Sequence, residues 1–112
     1  TIWMSWIMTF YTTDRGEKPV MEFIKAQQLP ARTKISHLMD LLKKHGHMLG
    51  VPHSKRLKPE LYELRIRGKE ELRILYSFQE QTVILLHAFR KQTQKTPQKE
   101  IDTALKRMQS LT

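Results

Sequence analysis

The apolar and polar positions of the chain change period several times, and each change marks an element. Trp6 to Tyr11 is short, aromatic and β-prone, which predicts a first strand. Asp14-Arg15-Gly16 reads as a turn. Pro19 suits the first turn of a helix, where its missing N–H costs nothing, and Val20, Phe23 and Ile24 then share one helical stripe. Pro30 separates this helix from a second one. There Ile35, Leu38, Met39 and Leu42 follow the i, i+3, i+4, i+7 pattern. Gly46 provides a C-terminal stop, with Lys43, Lys44 and His45 in the last turn. The pair predicts an α-hairpin, and residues 46–54 read as a Gly/Pro/His loop.

From residue 61 the period becomes two. Tyr62, Leu64 and Ile66 point one way while Glu63, Arg65 and Arg67 point the other. Gly68-Lys69-Glu70 makes a tight turn. Leu72, Ile74, Tyr76 and Phe78 then alternate with Glu71, Arg73, Leu75 and Ser77. A turn at Gln79 to Gln81 leads to Thr82–Phe89, which is apolar on both faces and predicts a central strand. Thr96 is placed to cap a last helix, with Pro97 at its first position and Glu100 in its first turn. Ile101, Ala104, Leu105, Met108 and Leu111 form its apolar stripe. The predicted fold is α+β, one domain over residues 1–112, in the order β-α-α-β-β-β-α. Three antiparallel strands make the floor, the first strand joins one edge, and the helix pair covers the apolar face.

A chain of 112 residues fits one compact domain. Charge adds more. Lys and Arg number 20 against 11 Asp and Glu, a net +9 that favours a polyanionic partner such as RNA, DNA or a ribosome. Residues 1–54 carry 7 basic and 4 acidic side chains, and residues 55–112 carry 13 and 7. Two runs lack acids altogether: Lys55, Arg56 and Lys58, then Arg90, Lys91, Lys95 and Lys99. Each alone reads as a solvated face, but flanking one set of strands they predict a shared binding surface. The absence of Cys excludes a disulfide framework, a thiolate zinc site and a Cys nucleophile, and is compatible with a reducing cytoplasm. No apolar run approaches the roughly 20 residues that span a bilayer. The apolar opening Thr1 to Tyr11 lacks a basic leader and a small-residue cleavage site, so it does not read as a signal peptide, and Thr1 to Trp3 carry no argument.

There is no P-loop, GxGxxG or HExxH motif. His45, His47 and His53 have no carboxylate at ligand spacing, so they read as a polar loop and no metal is expected. What is present is a polar strand face with Glu63, Arg65 and Arg73. On the third strand, the face bearing Val83 and Leu85 also bears His87, Phe89 and Lys91 by simple alternation. The register between these strands stays open; one choice sets His87 and Lys91 beside Arg65 and Arg73. That set suits RNA phosphodiester cleavage without a metal or other cofactor. Arginine matches phosphate oxygens with its planar fork. Glu63, His87 or a lysine can act as base or acid, and Phe89 can stack on a base. The competing readings are exposed cross-strand ion pairs of Glu63 and Arg65 with Arg73 or Lys69, a hydrogen-bonded core His87, and nucleic-acid binding without catalysis. Arg73, as an exposed strand residue, is expected to contribute little to stability.

The stretch KRLKPELYELRIRGKEELRILYSF, followed by VILLHAFRKQTQKTPQKEIDTALKRM, resembles the RelE/ParE superfamily of type II toxins, in its HigB-like branch often described as phage-derived. The matching motifs are Leu61–Arg65, Leu72–Tyr76 and Ile84–Arg107, and FYTTDRGEKPVMEFI resembles the branch's opening. The resemblance covers roughly residues 7–110. It implies a small domain with a curved antiparallel sheet, packed by an N-terminal helix pair and a C-terminal helix. It implies a cytoplasmic, ribosome-dependent mRNA interferase that cuts mRNA in the A site. It also implies a HigA-like helix-turn-helix antitoxin, in a heterotetrameric complex. By the same resemblance Arg65 and Arg73 hold catalytic strand positions, with Arg73 at that of a phosphate-stabilising arginine. Lys91 is the closest match to a third functional residue, and Glu63 and His87 complete the catalytic candidates. Lys55, Arg56, Lys58, Arg67, Phe89, Arg90 and Lys95 are the candidate RNA and ribosome contacts. Within the superfamily, a ParE-like gyrase-directed toxin is the alternative. A non-catalytic nucleic-acid-binding module is the alternative from another class.

Overall fold

The structure, a computed structural model, describes residues 5–111. Its elements are β1 (Ile7–Phe10), α1 (Pro19–Lys25), α2 (Leu29–His45), a 3-10 turn (Gly46–Met48), β2 (Ser54–Lys58), β3 (Leu61–Ile66), β4 (Leu72–Gln79), β5 (Thr82–Arg90) and α3 (Gln98–Gln109). The strands form one mixed sheet in the order β1-β5-β4-β3-β2. β1 runs parallel to β5, and the other neighbours are antiparallel.

Two features of the expected topology are corrected here. The chain gains a strand, β2, so its order is β-α-α-β-β-β-β-α. Ser-Lys-Arg-Leu-Lys escaped the pattern because an edge strand keeps only part of its surface covered. Ser54 is buried and Leu57 half-buried, while Lys55, Arg56 and Lys58 are exposed. The sheet is also not wholly antiparallel. Short turns force β3, β4 and β5 to alternate direction, but no turn joins β1 to β5, so nothing in the local sequence fixes their relative sense.

The sheet is covered on both faces. On one, Val20 of α1 and Ile35, Leu38 and Leu42 of α2 pack on Leu64, Ile66, Leu72, Ile74, Tyr76, Val83 and Leu85. On the other, Ile101 and Ala104 of α3 pack on Leu61, Leu75, Ile84, Leu86 and Phe89. The apolar stripes of α1, α2 and α3 are therefore the ones the helical spacing predicted. The alternation of β5 is not. Leu75 pairs with His87 and Tyr76 with Leu85, which leaves Leu86 as an extra residue in β5. That bulge shifts the phase. Val83 and Leu85 face the helix pair, whereas Ile84, Leu86 and Phe89 face α3. The expected common face of Val83, Leu85, His87 and Phe89 is thus broken at Leu86.

Gly46 ends α2 at φ 53°, in the left-handed region. The Trp6 indole lies against its Cα, where a side chain would sit, and the Trp6 backbone N–H donates to Lys43 O at 2.8 Å. The start of the first strand is thereby pinned to the end of the second helix. Gly46→Ala combines an unfavourable φ with a steric clash, and we expect it to cost about 2 kcal/mol or more. Urea unfolding checks this; an unchanged midpoint would show that the indole moves aside freely.

Beneath the helix pair, the Tyr76 hydroxyl and Ser54 Oγ share a buried hydrogen bond of 2.5 Å. Burial pushes the Tyr76 phenol up to about 12; the Ser54 hydrogen bond works against this and Tyr62 adds to it. Between its ordinary value of 10.0 and about 12, the folded phenol keeps a proton that the unfolded chain releases. Its contribution is fully present below pH 10.0 and is lost as pH rises through about 12. That loss is on the order of 2 kcal/mol. Tyr76→Phe should flatten the alkaline limb of the stability curve, as read by denaturant midpoints from pH 9 upward. An alkaline limb as steep as the wild type's would rule Tyr76 out as its source.

Candidate functional site

The tight β3–β4 hairpin places Arg65 directly opposite Arg73, and Glu63 opposite Leu75. Their side chains share the sheet face on which α3 packs, beyond the end of that helix's apolar core. Two arginines paired across strands repel each other unless something offsets their charge. Glu63, 2% exposed, supplies the offset. Arg65 Nε donates to Glu63 Oε2 at 3.3 Å, and Arg73 Nε lies 3.8 Å from Oε1. The Thr96 hydroxyl, in the connection before α3, donates to the same Oε1.

Arg73 is not the exposed residue that alternation suggested. Its side chain is 3% exposed. Nη1 donates to Leu72 O at 2.9 Å and Nη2 to Glu71 Oε1 at 2.9 Å, while Nε has no hydrogen-bond partner among the described residues. The reason is topological: β4 is an inner strand of the sheet, so a long side chain on its α3 face lies under its neighbours. Glu71 in turn is held below its ordinary carboxyl pKa. The Arg73 hydrogen bond is the main cause, aided by the charges of Arg73 and Arg67 and a Gly68 backbone bond, with burial opposing.

Lys91 follows β5. Its N–H donates to Glu71 O at 2.7 Å, and its Nζ donates to Gln94 O at 2.6 Å. Arg65, Arg67, Arg73, Glu71 and Lys91, with Gln92 to Gln94, surround an open basin of about 580 Å³. Arg65 is 21% exposed, and its terminal guanidinium nitrogens carry no partner among the described residues. The basin thus offers a partly exposed fork above a buried one, with an ammonium at the rim. That arrangement suits an anion with several oxygens, such as a phosphodiester.

The other candidates scatter. His87 is opposite Leu75, under α3, and does not line the basin. Its Nε2 is 2.7 Å from Glu100 Oε1. Arg107 Nη1 donates to Leu86 O at 2.8 Å and lies 3.3 Å from His87 Nδ1. A ring that accepts from Arg107 donates to Glu100, so His87 fastens α3 to the sheet. Phe89 is buried and stacked on His87 at 5.6 Å, which removes it as a platform for a base. Arg90 pairs across from Leu72, toward the helix-pair face, and forms an ion pair with Glu70. Arg56 pairs across from Tyr62 and so also turns to that face. Lys55 pairs with Glu63 across the strands and extends the basic face toward the edge, while Lys58 and Lys95 are exposed farther out.

Two partners escaped the sequence. Thr96 was expected to cap α3; Pro97 occupies the cap position and the Thr96 hydroxyl goes to Glu63 instead. Arg107 lies over the Tyr11 ring at 5.2 Å, a cation–π contact. Neither carries a local signal, since each contact spans a large part of the chain. His47 stacks on Phe78 with ring centres 3.7 Å apart, and His53 O accepts from Arg65 N–H at 2.8 Å. Among the described residues no group of three or more His, Cys, Asp or Glu could hold a metal ion. No helix among them is long and apolar enough to cross a membrane.

Comparison with known proteins adds one match. The model of the family described as "Phage derived protein Gp49-like (DUF891)" matches residues 22–109. No curated protein matches the chain.

Proposed function

The chain belongs to the phage-derived Gp49-like family, within the RelE-like toxin superfamily, and from that membership and the basin we propose that it is the toxin of a type II toxin–antitoxin pair. In this reading it belongs to the HigB-like branch and is a metal-independent, ribosome-dependent mRNA interferase acting in the cytoplasm. Its neutralising partner is a HigA-like helix-turn-helix antitoxin, with which it forms a heterotetramer. The observation that carries the reading is the meeting of Arg65, Arg67, Arg73 and Lys91 around one basin on the sheet.

The chemistry follows from that geometry. The 2′-oxygen of the bound nucleotide attacks phosphorus and gives its proton to water. Negative charge grows on the non-bridging oxygens, where the terminal nitrogens of Arg65 receive it. Arg73 adds positive charge from below and, through Glu63, fixes the Arg65 stem. The bond from phosphorus to the 5′-oxygen breaks, leaving a cyclic 2′,3′-phosphate, and Lys91 delivers the proton to the departing oxygen. Glu63, already shared between two arginines and Thr96, acts as a positioning residue. His87 stays with α3. The exposed cations Lys55, Lys58, Arg67 and Lys95 contact rRNA and mRNA phosphates.

The test is cleavage of a translated mRNA by purified protein, with and without programmed ribosomes, mapped by primer extension. Ribosome-dependent cuts in the A-site codon are expected. Intact mRNA beside growth arrest by a folded protein would shift the reading to a gyrase-directed toxin.

A further inference from the structure

On the face opposite the basin, a groove of about 460 Å³ opens beside the first strand. Its walls are apolar and rich in methionine: Met8 and Phe10 of β1, Met21 and Ile24 of α1, Ile35 and Met39 of α2. Unbranched thioether side chains adapt to partners of differing shape. Lys25, Arg32 and Lys43 rim the groove against one acid, Asp40, and none of the three cations forms an ion pair among the described residues. The surface therefore selects an apolar occupant that also carries negative charge.

The strand supplies backbone as well. β1 is the outermost strand of the sheet on this side. The N–H groups of Ile7 and Tyr11 donate to Gln81 O and Leu85 O, each at 2.9 Å. By the alternation of a parallel pair, Met8 and Phe10 turn their amides away from β5. Phe10 O accepts the Thr12 hydroxyl at 3.3 Å, while the Phe10 N–H and the Met8 N–H and C=O face the outer side of this edge strand. A row of open backbone groups beside a groove is a template for strand addition.

We propose that the β1 edge and this groove dock an extended acidic segment of a partner protein. Its backbone pairs with Met8 and Phe10, its alternate apolar side chains enter the methionine-lined groove, and its carboxylates meet Lys25, Arg32 and Lys43. The site lies across the sheet from Arg65, so the occupant leaves the basin uncovered. The inference uses no step of the cleavage reading.

The test is an NMR titration of the isotope-labelled full chain with a short synthetic peptide alternating leucine and glutamate. A peptide alternating leucine and lysine is the control. Saturable shifts are expected at the amides of Met8, Phe10, Met21 and Met39 with the acidic peptide only. The double variant Lys25→Glu/Arg32→Glu changes only exposed side chains, so its fold is secure, and it should weaken binding about tenfold. Met39→Glu should weaken it as well. Shifts confined to Arg65, Arg67 and Lys91, equal binding of the lysine peptide, or no saturable shift from the folded protein would overturn the proposal. Because no ribosome or RNA enters the experiment, its outcome and that of the cleavage assay are independent.

Discussion

Arg65→Ala should reduce ribosome-dependent cleavage by about 10²- to 10³-fold, the usual cost of removing one donor aimed at developing charge. Its effect on stability should stay below about 1 kcal/mol, because a partly exposed side chain making one ion pair contributes little. Arg65→Lys keeps the charge but loses the planar fork, so it should recover only part of the rate. Single-turnover cleavage on programmed ribosomes, alongside urea unfolding, reads both quantities. A variant that cuts like the wild type would remove Arg65 from the site.

Glu63→Ala should have the largest effect on folding. It would leave the Arg73 guanidinium buried beside Arg65 without the carboxylate between them. Stripping one partner from a buried charge pair costs about 3–5 kcal/mol, a large share of the roughly 5–15 kcal/mol that holds a domain together. Urea unfolding checks the value; a loss under about 1 kcal/mol would mean that Glu71 alone satisfies Arg73. The same burial revises the expectation for Arg73→Ala. That variant should lose stability as well as activity, so its loss of cleavage is a statement about chemistry only where the variant is shown to be folded.

How far the sequence could be read depended on how local each cause was. The stripes of α1, α2 and α3 and the two hairpins β3–β4 and β4–β5 rest on neighbours in the chain, and periodicity finds such features. The parallel sense of β1 depends on a partner more than seventy residues away. The strand β2 hid because an edge strand with exposed lysines and arginine shows no apolar alternation. At the site, alternation correctly grouped Glu63, Arg65 and Arg73 on one face. It misjudged their depth, since nothing in the local pattern says that α3 and the Thr96 connection close over Glu63. His87 shares the face of Glu63, Arg65 and Arg73, but it stands opposite Leu75 under α3 and outside the basin. The bulge at Leu86 changes which side of β5 each later residue takes, and a bulge without Gly leaves no mark in the sequence.

The double covering of β4 and β5 has a consequence for how the molecule breathes. These two strands sit inside the sheet, with apolar side chains buried on both faces. Their amides should be the last to exchange with deuterium, while the four-residue β1 and the five-residue β2 at the margins open first. Arg73 stands on the slow strand, and Arg65 stands directly opposite it on β3. A substrate phosphate therefore meets a seat whose shape is already set before it arrives, while the fluctuations of the molecule are left to its rims.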